Sequence, residues 1–210
     1  QTIFGASLYQ ELNDDGDYVT LSVNSNFRPD KGDNNTNTFY SENGNSAFIK
    51  TLNQQDSKRA TINSIFNYKK KLTDWDAEIL TGFQFKRESK NVDYSFFNDT
   101  NNSGYEFNQF RVQRYSGNVY SGRIDIEKKL SENYSLEIGG SYTKAETKND
   151  NKTTFKNNQN TAFYHYDFKE ANLAGYVNLA VDADKWNING GLRTESTNAK
   201  GFDKIENQTK

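Results

Sequence analysis

Tyr134-Ser135-Leu136-Glu137-Ile138-Gly139-Gly140-Ser141-Tyr142-Thr143 alternates along its whole length. One parity holds Tyr134, Leu136, Ile138, Gly140 and Tyr142; the other holds Ser135, Glu137, Gly139, Ser141 and Thr143. A period of two places these sets on opposite faces of a β-strand, because successive side chains point to opposite sides. The same rhythm occurs in Tyr18–Phe27, where Val19, Leu21, Val23 and Phe27 share a parity. In Asp76–Lys86 the apolar parity is Ala77, Ile79, Thr81, Phe83 and Phe85, and in Asn172–Asp182 it is Leu173, Gly175, Val177, Leu179 and Val181. Thr2–Leu12, Thr61–Lys69, Asn118–Glu127 and Trp186–Glu195 complete a set of about eight strands of roughly 9–12 residues. That is longer than a typical globular strand and close to the ~9–11 residues of a bilayer-spanning one.

The connections alternate too. Short polar turns fall at Asn13–Asp17, Leu72–Asp74, Leu130–Asn133 and Asp182–Lys185. Between them, Arg28–Ser57, Glu88–Gln113 and Thr147–Tyr166 read as long hydrophilic loops. Compact soluble domains seldom carry several such loops, whereas membrane barrels pair short periplasmic turns with long external loops. Trp75, Tyr134 and Trp186 each follow a short turn on the apolar parity, the place for an aromatic belt at a membrane interface. Phe96, Phe97, Tyr105, Phe110, Phe163 and Tyr164 are the candidates for a second belt at the far ends.

Composition agrees with strands diluted by polar segments. The mean hydropathy is −1.01, yet the chain holds 13 Tyr, 15 Phe and 2 Trp, far from the aromatic-poor profile of disorder. No apolar run suits a membrane helix, which leaves the barrel route open. A net charge of −2 disfavours a nucleic-acid partner. The absence of Cys excludes disulfides, thiolate metal sites and Cys nucleophiles. The chain has no Met and opens Gln1-Thr2-Ile3 without a signal-peptide pattern. Its last residues do not read as the close of a strand, so we expect part of a longer protein, with residues 1–210 forming one barrel segment.

No chemistry-bearing motif emerges. His165 is the single His, without partners for a triad or a metal site, and reads as an interfacial residue. Asp30-Lys31-Gly32-Asp33-Asn34 lacks EF-hand spacing. We expect no enzyme, cofactor or metal. The polar parity carries Glu78, Lys86, Arg123, Asp125, Glu137, Arg193 and Glu195, which would face a barrel lumen as a charge ladder, or contact a plug or substrate. Gly139-Gly140 and Gly190-Gly191 lie inside strands, where Gly marks a bend or a close approach.

Tyr166-Asp167-Phe168-Lys169-Glu170-Ala171-Asn172-Leu173-Ala174-Gly175-Tyr176, followed by Gly190-Gly191-Leu192-Arg193-Thr194-Glu195, resembles the barrel of TonB-dependent receptors, especially those of Bacteroidota. The resemblance is clear over about thirty residues. It implies an outer-membrane barrel of about twenty-two strands, plugged by an N-terminal domain and importing a bulky ligand with the help of a TonB-type coupling protein. A surface lipoprotein partner belongs to the same expectation, as does ligand capture by the long loops. The chain shows no plug, coupling box or closing aromatic strand. The expected fold is therefore all-β, an antiparallel up-and-down transmembrane barrel with about eight strands present out of a larger number. Two alternatives stand beside it: a self-contained small outer-membrane barrel acting as anchor or adhesin, and a soluble extracellular β-sandwich that binds a ligand.

Overall fold

The computed structural model describes residues 1–42, 45–156, 160–183 and 185–209. Eight antiparallel strands form one up-and-down sheet in sequence order: β1 (Thr2–Glu11), β2 (Tyr18–Glu42), β3 (Asn45–Leu72), β4 (Ala77–Thr100), β5 (Glu106–Ser131), β6 (Tyr134–Phe155), β7 (Asn160–Ala183) and β8 (Trp186–Thr209). Every strand expected from the alternation is present. The sheet curls into a half-barrel. Among the described residues β1 pairs only with β2 and β8 only with β7, so both outer edges stay open. A single sheet also rules out the sandwich, which needs two.

The long loops are corrected. Arg28–Ser57, Glu88–Gln113 and Thr147–Tyr166 are mostly strand, continuing the ladders until only short tips remain. Positions 43–44 and 157–159, inside two of these stretches, lie outside the described residues. These segments mix polar and aromatic residues on both faces, so no clean apolar/polar alternation marks them. They extend because Thr, Asn, Phe and Tyr offer cross-strand partners and little Pro or Gly interrupts pairing. At 24 residues, β4 is roughly 80 Å long at ~3.3 Å per residue, far more than a bilayer crossing needs.

Facing identifies inside and outside. On a curved sheet, concave side chains converge and bury one another while convex ones diverge. Asp125, Ala174, Ser57 and Val92 are all below 9% exposed and share the concave face. Leu21, Phe66, Phe83, Ile124, Ile138, Leu173 and Leu192 are exposed on the convex one. The apolar parity therefore points outward in a continuous band, with Ile79, Ile126, Ile138, Val177 and Leu192 side by side across five strands.

The band runs obliquely to the register. The row through Phe4, Ser25 and Ile62 continues into Arg87, Asn118, Glu146, Lys169 and Lys200. At the turn end, Tyr134, Val181 and Ile188 form an apolar row in β6–β8. The band thus slides by about one residue per strand. With ~3.3 Å rise and ~4.8 Å strand spacing, a level band implies strands tilted by roughly 35°, the tilt of membrane barrels.

The short turns are tightly built. Asp17, buried in the β1–β2 turn, accepts a bond from the Lys71 amide at 2.6 Å and from Asn13 Nδ2 at 3.0 Å, so it ties this turn to β3. Gly16 beside it takes φ +87°, a left-handed value that favours glycine.

A cation on the outward band must enter hydrocarbon. Replacing Ile138 with Lys is expected to destabilise the micelle-embedded protein by ~2–4 kcal/mol. Ser141→Lys, on the concave face, is expected to cost under ~1 kcal/mol. Denaturant titration in micelles compares the two, and equal costs would contradict the facing.

Candidate functional site: the concave wall

Two groups of side chains occupy the concave face. The first lies behind the apolar band and contains the charges expected from the polar parity. Register sets Asp125, Gly139, Tyr176 and Arg193 side by side on β5–β8. Asp125 is buried, receives a hydrogen bond from the Tyr176 hydroxyl and pairs with Arg123 at 2.7 Å. The Arg193 guanidinium lies over the Tyr176 ring at 5.7 Å and also bonds Glu195. Glu137 accepts a bond from Asn178 at 2.9 Å, and Glu78 pairs with Lys69 at 2.6 Å. All five expected lumen-facing residues, Glu78, Arg123, Glu137, Arg193 and Glu195, thus lie on the concave face, each with a partner. Asp125 and Tyr176 join Arg123 and Arg193 into one network.

Glycine makes this network possible. A Cβ on Gly139 would lie 2.3 Å from the Tyr176 ring and 2.6 Å from Asp125. Tyr176 fills the space that a side chain at 139 would take. Gly191 likewise makes room for Asn178, whose Oδ1 would be 1.9 Å from an added Cβ. Both are close approaches of the kind read from the sequence, whereas Gly190 faces open space.

The second group sits on the strand extensions beyond the band, in segments that read as loops. Arg28, Arg59, Lys90, Tyr115, Asn149 and Tyr166 form one register row from β2 to β7. Tyr166 stacks on Phe168 at 6.5 Å, Tyr94 on Phe96 at 6.0 Å, and Arg111 covers Phe96 at 5.3 Å. Arg28, Asp30, Gln55, Ser57, Arg59 and Lys90 enclose a cavity of about 150 Å³. Sequence reading missed this group because only the register of three or more strands brings it together. Cations and aromatics of matching parity in Arg28–Ser57 and Glu88–Gln113 were the available signal.

The aromatic belts are partly revised. Tyr134 and Trp186 begin β6 and β8, beside the turns, and are exposed. Trp75 is not on a strand. It ends a short 3-10 helix, Thr73–Trp75, and Asp76, at φ +47°, swings the chain into β4. Phe96 and Phe97 lie more than ten residues past Phe85, roughly 35–40 Å along β4, too far for the other side of a band ~25 Å tall. Phe163 and Tyr164 are similarly distant from Leu173. Phe27, Tyr142 and the Phe85–Tyr120 pair, with ring centroids 5.2 Å apart, instead mark the far edge of the apolar band.

His165 is on the convex face of β7, well past the band. Its Nδ1 meets Asp150 and its Nε2 lies 3.2 Å from Asp167, with Phe163 and Phe202 on either side. Bonding to Asp150, and next to Asp167, raises the imidazole above its ordinary pKa of 6.5.

Two outcomes are expected. Gly139→Ala should displace Tyr176 and destabilise the protein by ~1–3 kcal/mol, while Gly190→Ala should be nearly neutral; denaturant midpoints decide. A raised folded-state pKa means that the His165 pairing stabilises fully below pH ~6.5 and is lost as pH rises through the folded value. Amide exchange in the outer parts of β6 and β7 should therefore accelerate from pH 6 to 9 more than in His165→Phe, after correction for intrinsic rates.

A family model described as the outer membrane protein beta-barrel family matches residues 105–210. No curated protein sequence matches the chain. Among solved structures, the chain is similar to the unliganded ferric citrate transporter FecA at 7% identity and a TM-score of 0.45, covering 95% of this chain and 38% of that one. It is similar to BauA, the ferric preacinetobactin receptor from Acinetobacter baumannii, at 9% identity and 0.43, covering 98% and 42%. For the ferric yersiniabactin uptake receptor FyuA from Yersinia pestis the values are 12% and 0.32, covering 98% and 40%. The chain spans about two fifths of the length of these structures. The family match takes in β5–β8, just over half of the chain, and the chain belongs to the outer membrane protein β-barrel family.

Proposed function

We propose that this chain is a wall segment of a wide, TonB-dependent receptor-type barrel that takes part in uptake of a bulky ligand through the outer membrane. The observation that carries the reading is the open sheet: eight strands curl with the apolar face outward and a polar face inward, yet β1 and β8 do not meet. A closed eight-strand barrel would fill its interior with its own side chains, whereas a wider one encloses a lumen that a plug and a ligand can occupy. Lipid of the outer membrane would cover the band around Ile138. The charged group around Asp125 and Arg193 would face a plug domain, and the far hairpins would lie outside the cell. A TonB-type coupling protein and a surface lipoprotein are the expected partners. The wall itself would bind and guide rather than catalyse.

The chain refolded alone is expected to gain β-structure by circular dichroism only when micelles are present, without a heat-modifiable compact band on gels. A cooperative β-fold in plain buffer would overturn the membrane reading. A heat-modifiable band from the chain alone would replace the wide barrel with a small self-closing one.

A further inference from the structure

We infer that Arg28, Arg59 and Lys90 form an oxyanion-binding subsite on the concave wall, taking a carboxylate or phosphate group of the ligand. This deepens the uptake reading and rests on it. The three cations are direct cross-strand neighbours on β2, β3 and β4. Like charges placed directly opposite one another repel, and the local carboxylates answer them poorly. Arg28 reaches Asp30 only at 3.8 Å and Arg59 reaches Glu88 only at 3.6 Å, both pairs partly exposed. Lys90 makes no ion pair among the described residues. An oxyanion between the three would relieve the repulsion and accept charge-assisted hydrogen bonds, with either guanidinium able to bind it in bidentate fashion.

The surroundings suit such a group. The cavity of about 150 Å³ holds the end of a ligand rather than a whole one. Ser57 and Gln55 supply neutral polar contacts in the lining, and Asp30 sits in it as the one carboxylate. Val92, fully buried beside Ser57 in the next register row, makes the floor firm. Tyr115 continues the cation row on β5, with its hydroxyl leaning over Gly117, where an added Cβ would be 2.9 Å away. The body of the ligand can rest on this ring. The cavity lies just past Phe27, at the far rim of the apolar band, on the route into the lumen.

The test is calorimetric titration of the intact outer-membrane protein in neutral-detergent micelles, with citrate in one arm and pyrophosphate in the other. At least one anion is expected to bind, and the tighter one identifies the group as carboxylate or phosphate. Arg59→Gln and Lys90→Gln should each weaken binding roughly tenfold or more, while Arg59→Lys retains a good part of it. Lys58→Gln removes a neighbouring charge from the convex face and should change binding less than about twofold. No binding of either anion overturns the subsite, and so does a Lys58→Gln loss equal to that of Arg59→Gln, which would mean diffuse charge attraction. A protein that inserts and closes but binds neither anion loses only the subsite. A protein that fails to insert loses the uptake reading itself.

Discussion

Hydrocarbon offers no hydrogen-bond partner to a peptide group, so any backbone crossing it must satisfy its own N–H and C=O groups. Everything else in this fold follows from that constraint. Between neighbouring strands β1 to β8 it is met by antiparallel ladders, whose register shifts, among the described residues, only beside Phe96/Phe97 and Lys129/Ser131. It fixes the alternation of side chains, since a strand held by neighbours on both sides can only point residues up or down. It also makes the open edges of β1 and β8 meaningful, because the stretch of such an edge that lies within the apolar band is unstable in lipid unless another strand covers it.

Once the faces are fixed, their chemistry divides. The outward face needs only shape and apolar surface, and Ile79, Ile126, Ile138, Val177 and Leu192 supply it. The inward face carries paired charges whose desolvation is offset by near partners, as Asp125 is by Arg123 and Tyr176. Glycines decide how closely these groups pack: Gly139 admits Tyr176, Gly117 admits Tyr115 and Gly191 admits Asn178. The concave side chains crowd together, and these glycines make the room that their packing needs.

How much of this is legible in the sequence depends on which signal each part leaves. The eight strands and their turn-side starts are legible because hydrocarbon on one face and water on the other enforce alternation. The far halves of β2–β7 are not, because Asn, Thr, Ser and aromatic residues recur at either parity there. The shared face of Glu78, Arg123, Glu137, Arg193 and Glu195 is legible from parity alone. The cation row Arg28–Arg59–Lys90 is not, since it exists only once the register of three strands is set. Trp75 shows the limit of parity at a turn: the left-handed Asp76 resets the chain direction there.

The central claim is that apolar and polar parities face lipid and lumen respectively. The natural absence of Cys makes single-cysteine spin labelling direct. Labels placed in turn along Leu136–Glu146 of β6, in the protein reconstituted in lipid, would be scored for collision with dissolved oxygen and with a water-soluble nickel chelate. With Gly139 left unlabelled because Tyr176 fills its space, the account predicts alternation with a period of two, oxygen favoured at 138, 140 and 142 and the chelate at 137, 141 and 143, ending near Lys144 where the apolar band stops. Equal chelate access on both parities, or alternation of the opposite phase, would contradict it.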